Sequence, residues 1–178
     1  MTDASPTRSS LLIDVELPDP DPLPRWFREQ LEGLRVVLVG WYAVPEQTAP
    51  QQARDQFGDE AQAALDAVAE GLREHGVEVE TRLVFTPDEL DSIGRISTET
   101  NCDALLVGIP PAAIRRVLIP VRGLHNATRI ARFAADLVQD RTTEVTLLHI
   151  LERGESASKG RERVLAPMAE RLARYGMK

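Results

Sequence analysis

The sequence predicts an α/β fold, an open and mostly parallel sheet with helices on both faces. Continuous apolar, β-branched runs such as residues 34–44 are typical of strands that are covered on both sides. Amphipathic segments of ten residues or more, such as 48–76, alternate with these runs along the chain. Sheets of this class bind ligands outside the carboxyl ends of their strands, so a site is expected at that edge.

Six segments have the apolar content of strands. The run at 11–17 ends at a group of prolines, which remove backbone donors and stop a strand. The segment 77–85 alternates between apolar and polar residues, which favours an edge strand. The strands are predicted at 11–17, 34–44, 77–85, 102–109, 116–123 and 144–151.

The clearest helix is predicted at 48–76, after a short one at 24–33. Thr48 and Gln51 fit a capping box, and Pro50 falls in the first turn. Gly76 stands where a left-handed cap belongs. One apolar stripe is expected to face the sheet, formed by Phe57, Ala61, Leu65, Val68 and Leu72.

Three further helices follow the same logic. Thr86, Pro87 and Glu89 are expected to open the third helix. The last helix, at 160–176, contains Pro167, which is expected to kink it. The inward residues are predicted to be Leu90, Ile93 and Ile96 in the third helix, and Ile130, Phe133, Ala134 and Leu137 in the helix at 125–140.

Composition excludes several classes of protein. The chain has 178 residues, enough for one domain or one domain and part of another. Its net charge of −7 argues against a nucleic-acid binder, which needs a basic face, and gives no support for binding anionic lipid. The single cysteine, Cys102, excludes an internal disulfide and a cysteine metal cluster.

The sequence also bears on localisation. Apolar runs stay well short of the ~20 residues that a membrane span needs. Residues 1–10 have no apolar core like that of a secretory signal, and they are predicted to form a disordered tail. A cytoplasmic protein without membrane insertion is expected, and the cysteine content suits a reducing compartment.

The chain contains two similar segments, each of which reads strand, helix, strand, helix. The second, "RRVLIPVRGLHNATRIARFAADLV…EVTLLHILE", resembles the opening of the universal stress protein family: a strand ending in V-x-G, a helix, then V-T-L-L-H-V and an acidic residue. The first resembles the same family over "ALDAVAEGLREHGVEVETRLVFTPDELDSIGRISTETNCDALLVGIP". The resemblance covers about residues 34–152, and 11–33 more loosely.

This resemblance implies a Rossmann-like fold of the adenine nucleotide alpha hydrolase type. It implies a nearly whole universal stress protein domain at 11–112 and a partial second repeat at 113–178. The partial repeat either completes the first sheet or reflects a shortened chain. The link from Gly108 to Val117 is shorter than the dozen or more residues of a parallel crossover. The strand after it therefore either turns back antiparallel or leaves the first sheet.

The family's phosphate loop is missing. Nucleotide-binding members carry G-x-x-G, nine residues and G-S or G-T after the fourth strand, but only Gly108 is kept here. Pro110 and Pro111 remove two backbone donors. The usual aspartate after the first strand is also absent: Glu16 or Asp19 can stand in for it in the first copy, and Arg122 has the opposite charge in the second. No cofactor is expected, and ATP or AMP is the less favoured alternative.

A ligand crevice and an anion site are the two candidate sites. The crevice is expected at the carboxyl edge of the first sheet, where Trp41 and Tyr42 can stack on a base or simply pack. In the second copy, Arg122 precedes a turn at Gly123 and a helix start at Asn126, where a phosphate or carboxylate can bind. An ordinary turn with Asn126 as N-cap is the preferred interpretation. The crevice residues are Val15, Glu16, Trp41, Tyr42 and Gly108.

The remaining reactive residues do not form a catalytic motif. His149 is expected to be a hydrogen-bonded core residue, His75 to lie in the last turn of a helix, and His125 to begin one. Cys102 has no activating neighbour in the sequence and is interpreted as small core filling. No P-loop, H-E-x-x-H or G-x-S-x-G motif is present. The chain is therefore predicted not to be an enzyme.

Three functions of different classes follow. The favoured one is a non-catalytic regulatory or binding module that acts as a homodimer and through a transport or regulatory protein partner, as the resemblance implies. The second is a nucleotide-binding switch with an atypical adenine-nucleotide site. The third, an enzyme of a nucleotide-dependent α/β class, needs a perturbed ionisable pair in a closed pocket, for which the sequence gives no sign.

Overall fold

The computed structural model describes residues 8–108, 114–138 and 143–177. The chain divides into two compact units, Met1–Pro110 and Pro111–Lys178. In the first unit, parallel strands form a four-stranded sheet in the order β3-β2-β1-β4. The strands are β1 (Ser10–Leu17), β2 (Arg35–Ala43), β3 (Glu78–Thr86) and β4 (Ala104–Leu105), and the helices are α1 (Arg25–Gln30), α2 (Pro50–Arg73) and α3 (Glu89–Glu99).

Helices cover both faces of this sheet. Successive strand residues point to opposite faces, so residues two apart share a face. On one face α3 packs on the sheet through a core made of Leu12, Val37, Val39, Ile93 and Ile96. On the other face α2 brings Leu65 against Gly40 of β2. The predicted fold class is confirmed, and β3 is the edge strand that its alternation indicated.

Helix α2 starts later than predicted and has no capping box. Its N-cap is Ala49, which has no side chain that can accept a hydrogen bond, and Pro50 takes the first position. Thr48 lies in a preceding turn, where its N–H donates to the carbonyl of Pro45 at 2.9 Å. Proline's fixed φ is already suited to the first helical turn, and this start needs no side-chain cap. The buried stripe of α2 consists of Ala53, Ala61, Leu65, Ala69 and Leu72, and Phe57 and Val68 are half-buried.

Helix α3 also differs from the prediction. Asp88 is the N-cap and accepts from the N–H of Asp91 at 3.0 Å, whereas Thr86 ends β3. The expected burial of Leu90 is wrong, because this side chain is 78% exposed. The buried face of α3 is centred on Ser92, Ile93 and Ile96. At 100° per residue, Leu90 lies about 110° round the axis from the centre of that face.

The start of β1 belongs to the folded part of the chain. Ser9 and Ser10 are buried, so the predicted tail at 1–10 is too long, and residues 1–7 lie outside the described residues. The carboxylate of Asp103 accepts from the N–H of Ser10 at 2.8 Å, and the N–H of Asp103 donates to the Ser10 hydroxyl at 3.1 Å. These bonds hold the start of β4 beside β1. Over the described part of 102–109, β4 is only two residues long.

The second unit has its own sheet. The strands β5 (Arg116–Pro120) and β6 (Glu144–Leu148) pair in parallel, and among the described residues β5 pairs with no strand of the first sheet. The strand after Gly108 therefore leaves the first sheet, and the antiparallel alternative is wrong. The helices of this unit are α4 (Ala127–Leu137), α5 (Ala157–Gly160) and α6 (Ala166–Arg174).

One core holds the second unit together. It contains buried residues of β5, α4 and α6, and Val145 and Leu147 of β6 pack against it. In α4 the alanines Ala127, Ala131 and Ala134 are buried, whereas the larger inward residues of the prediction, Ile130, Phe133 and Leu137, are only half-buried.

A widened turn lies directly before Pro167 in the last helix, and the kink expected at Pro167 stays a prediction. A π-helical turn at Arg161–Leu165 precedes Pro167, and the N–H of Ala166 donates to the carbonyl of Arg161. Pro167 lies in the first turn of α6. Because proline has no N–H to close an α-helical bond, a turn with longer spacing fits directly before it.

Candidate functional site

The best candidate site is a cleft at the carboxyl edge of the first sheet. There β1 and β2 end and α3 begins, and the cleft between them has a volume of about 360 Å³. This is the position at which open parallel sheets bind ligands. The lining residues are Ile13, Asp14, Val15, Glu16, Asp19, Asp21, Pro22, Leu23, Pro24, Trp41, Glu89, Leu106 and Gly108.

The lining of this cleft is acidic. Five of its residues carry carboxyl groups, and among the described lining residues none is lysine, arginine or histidine. Phosphate groups carry negative charge and are normally held by basic side chains or converging backbone N–H groups. The lining therefore repels a polyphosphate and favours a neutral or positively charged group.

Asp14 and Glu89 form a carboxyl pair inside the cleft. Asp14 shares the α3 face with Leu12, since the two are two residues apart on β1. Burial raises the pKa of Asp14, although the indole N–H of Trp41 donates to its carboxylate and favours the charged form. Burial also raises the pKa of Glu89, and repulsion from the charges of Asp14 and Glu16 adds to this.

The two carboxyl groups are close enough to interact, and burial is the largest cause of the raised pKa of each. Two like-charged groups this close cannot both ionise without cost, and the pair holds a proton to a higher pH than isolated carboxyls do. The described residues contain no group of three or more His, Cys, Asp or Glu side chains able to hold a metal ion.

The raised pKa of Asp14 gives a pH-dependent stability. The folded state holds this proton more tightly than the unfolded chain, so the stabilisation is complete below the ordinary carboxyl pKa and is lost as pH rises through the raised value. Asp14→Asn removes this titration and keeps an acceptor for Trp41. We expect the variant to be more stable than the parent at pH 7 by about 0.2–1 kcal/mol, which is the scale of a partly exposed charge interaction. We also expect it to lose less stability than the parent between pH 4 and 8.

Urea denaturation at several pH values, followed by tryptophan fluorescence, measures this difference. Both tryptophans, Trp26 and Trp41, belong to the first unit, so the signal reports its unfolding. Asp91→Asn is the matched control, because Asp91 is an exposed carboxylate in the first turn of α3. Equal pH profiles for the two variants would contradict the role given to Asp14.

Four of the five predicted crevice residues line the cleft, and Tyr42 does not. Val15, Glu16, Trp41 and Gly108 contribute to the lining. Tyr42 lies on the opposite, α2 face, where its ring stacks on Phe57 at a centroid distance of 5.2 Å. The same ring also lies against Phe85, at a centroid distance of 5.3 Å. Packing is therefore the role of Tyr42, and ligand binding by the other four stays a prediction.

Sequence reasoning missed Asp14 and Glu89. Two signals were available: Asp14 and Glu16 have the spacing of residues on one strand face, and Glu89 stands at a helix start. What the sequence does not give is the packing of α3 over β1, which brings the two carboxyls together. Asp19, named as a substitute for the family's aspartate, does line the cleft.

The predicted anion site has weaker support. Arg122 lines a separate cleft of about 400 Å³ in the second unit, but its other lining residues are Pro120, Val121, Leu148, Ile150, Leu151 and the acidic Glu152. Asn126 occupies the N-cap position of α4, as expected, but its side chain makes no capping hydrogen bond. Gly123 lies in the segment before α4. Binding of an anion here stays a prediction.

His149 is a hydrogen-bonded core residue, as predicted. Its side chain is 3% exposed, with Nδ1 2.8 Å from the carbonyl oxygen of Val121 and Nε2 3.2 Å from Glu155 Oε2. The bond to Val121, followed by the bond to Glu155, raises the pKa of His149. These bonds connect the end of β6 to the end of β5 and to the segment before α5.

The other potentially reactive side chains are those of His75, His125 and Cys102. Nδ1 of His75 lies 3.0 Å from the carbonyl oxygen of Gly71, just after the last turn of α2. His125 is exposed before α4. Cys102 is half-buried and packs against the core under α3. No helix in the described ranges is long and apolar enough to cross a membrane.

Comparison with known proteins finds similar chains among the solved structures. No family model and no curated protein matches the chain. A universal stress protein from Archaeoglobus fulgidus shares 18% identity over 78% of this chain and 97% of its own, with a TM-score of 0.40. The universal stress protein from Archaeoglobus fulgidus in complex with dAMP gives 16% identity, 79% and 98% coverage and a TM-score of 0.37. A universal stress protein in complex with cAMP shares 12% identity over 80% of this chain and 98% of its own, with a TM-score of 0.38.

These structures belong to the family that the sequence resembles. Their TM-scores lie below 0.5, so the backbones superpose loosely over the matched length. The fold assignment rests on the strand order and helix placement of the chain itself.

Proposed function

We propose that this chain is a non-catalytic regulatory or binding module of the universal stress protein type, which acts in the cytoplasm through self-association and protein partners. The observation that carries the proposal is the lining of the cleft at the carboxyl edge of the first sheet. Carboxyl-bearing residues, among them Asp14, Glu16 and Glu89, line this cleft and repel the phosphates of a nucleotide. Partners of a transport or regulatory kind are those that the resemblance implies.

The groups around the carboxyl pair favour a protein without catalytic activity. Asp14 and Glu89 have the raised pKa values that acid–base chemistry can use. General acid–base chemistry also needs a bound substrate in an enclosed site, with a nucleophile, a metal ion or an oxyanion-binding group beside the pair. Among the described residues the cleft lining offers Trp41, carboxylates and apolar side chains, with no Ser, Cys, Lys or His.

A nucleotide-binding switch is the second candidate function, and Trp41 is the observation that favours it. An indole side chain in the cleft can stack on a base, and Glu16 beside it can accept a hydrogen bond from an amino or hydroxyl group. Two of the similar structures are complexes with dAMP and cAMP, which makes adenine nucleotides the ligands to test. The acidic lining argues against the phosphate part of such a ligand.

We expect magnesium ATP to bind with a dissociation constant no lower than about 1 mM, which corresponds to a binding free energy of about 4 kcal/mol. A triphosphate needs several converging N–H groups or cations, and the described cleft residues supply carboxylates in their place. Isothermal titration calorimetry with ATP, AMP, dAMP and cAMP measures this directly. A micromolar affinity that is lost in Gly108→Ala would reverse the order of the two candidate functions.

Self-association is measured separately, by sedimentation equilibrium of the full chain at about 10–300 µM. A dimer supports the proposed module. A monomer over the whole range would contradict its self-association, whatever the nucleotide titrations show.

A further inference from the structure

The sheet of the second unit has an uncovered face. Inward residues of β5 and β6, including Ile119 and Leu147, pack on α4 and α6. Outward residues of the same strands are exposed, among them Leu118 at 58% and Leu148 at 42%. Ile150, just beyond β6, is 77% exposed. The outer face is defined by Arg116, Leu118, Pro120, Glu144, Thr146 and Leu148.

A face of this kind is unusual for parallel strands. Parallel sheets are normally covered on both sides, and a two-stranded sheet alone is only marginally stable in water. In the first unit both faces carry helices, whereas the described residues of the second unit cover only one. The outer face is therefore the part of this unit that most needs a partner surface.

We propose that the outer face binds the outer face of a second copy of this chain. This inference rests on the self-association in the proposed function and names the surface that carries it. Charge complementarity favours this pairing. Arg116 and Glu144 are direct neighbours across the two strands, so the face has one positive and one negative corner at the same end. A symmetric dimer requires such a self-complementary surface.

The symmetry operation follows from the strand register. With a two-fold axis parallel to the strands, β5 of one copy lies over β6 of the other. Arg116 then faces Glu144 of the second copy, and Glu144 faces Arg116, so two opposite-charge pairs form. The same axis places Pro120 over Leu148 twice, because these two residues are also direct neighbours in the register. Two aligned sheets that pack face to face keep their strands within about 30° of each other, which this arrangement allows.

The size of the face sets the expected strength. Five residues at about 3.3 Å each and two strands about 4.8 Å apart give a strip about 17 Å long and 10 Å wide. Stable interfaces bury about 800 Å² per partner, so the strip with Ile150 and Leu151 beside it fits a weak dimer. A dissociation constant in the micromolar range is expected, and concentrations of about 10–300 µM are needed to observe it.

Charge exchange between two variants tests the proposal. Arg116→Glu gives a face with two negative corners, and Glu144→Arg gives one with two positive corners. Each variant alone is expected to be monomeric in sedimentation equilibrium under conditions where the parent chain dimerises. An equimolar mixture is expected to form a heterodimer, and the double variant R116E/E144R is expected to dimerise again, because it restores one charge of each sign.

Two further variants separate loss of binding from loss of folding. Leu118→Glu places a charge in the apolar part of the outer face and is expected to abolish the dimer. Leu90→Glu, an exposed leucine of α3, is the matched control and is expected to leave it intact. Circular dichroism checks that each variant is folded, and the mixture and the double variant restore binding only if their chains are folded.

The outcomes distinguish the surface from self-association itself. A parent chain that dimerises while R116E and L118E still dimerise would overturn the outer face and leave the proposed self-association standing. Failure of both the mixture and the double variant to dimerise would overturn the charge pairing. A parent chain that is monomeric at about 300 µM would overturn this proposal together with the self-association on which it rests.

Discussion

Replacing Leu65 by alanine is expected to lower the free energy of unfolding of the first unit by about 2–5 kcal/mol. Leu65 is fully buried in the middle of α2, and its methyl groups lie against Gly40 in the centre of the sheet. The change removes apolar contacts and leaves a cavity, because the strand beneath cannot follow the shortened side chain. Urea denaturation followed by tryptophan fluorescence measures the loss.

Leu90→Ala is the matched control for this prediction. Leu90 also lies in a helix of the first unit, but its side chain is exposed, so the change is expected to stay within about 0.5 kcal/mol. A loss below about 0.5 kcal/mol for Leu65→Ala, or equal losses for both variants, would remove α2 from the core of the first unit.

The sequence predicted the order of elements better than their ends. Apolar runs and amphipathic stripes are set by burial, which acts over a whole segment, so β2 and α2 fall within one to three residues of the predicted ranges. Ends depend on single hydrogen bonds. Thr86 and Asp88 can both cap α3, and only the course of β3 decides that Asp88 does so. The helix therefore starts two residues later than predicted, and Leu90, which was expected to face the core, is exposed.

The candidate site shows a similar limit. The rule that ligands bind at the carboxyl edge of a parallel sheet led to Glu16, Trp41 and Gly108, which line one cleft. Tyr42 stands at the same strand end but packs on Phe57 and Phe85 instead. The carboxyl pair could not be found in this way, because Asp14 and Glu89 are separated by 75 positions and meet only through the packing of α3 on β1.

In the second unit, the repeat pattern of the sequence did not determine which strand β5 pairs with. The strands and helices of this unit follow the order that the resemblance implied, but the sequence allowed β5 either to complete the first sheet or to leave it. Pairing between strands depends on backbone hydrogen bonds, which any residue except proline can make, so no residue type specifies the partner of β5. In the structure β5 pairs with β6.

Gly40→Ala is the second change with a large expected effect. A Cβ atom at this position would lie 2.6 Å from Cδ1 of Leu17 and 3.0 Å from Cδ1 of Leu65. Alanine gains up to about 1 kcal/mol over glycine in a strand through lower backbone entropy, but overpacking in a close-packed core costs about 1–3 kcal/mol. A net loss of stability is therefore expected in urea denaturation. Gly94→Ala, at an exposed position of α3 with open space around its added Cβ, is the control and is expected to be stabilising.

A double-mutant cycle of Gly40→Ala with Leu65→Ala tests the cause of that loss. Shortening Leu65 removes one of the two side chains that crowd the new methyl group and leaves space into which Leu17 can move. The double variant is therefore expected to lose less stability than the sum of the single losses, with a coupling of about 0.5–3 kcal/mol, the range for residues in direct contact. Strictly additive losses would mean that the cost at Gly40 arises in the strand backbone and not from the packing of α2 on β2.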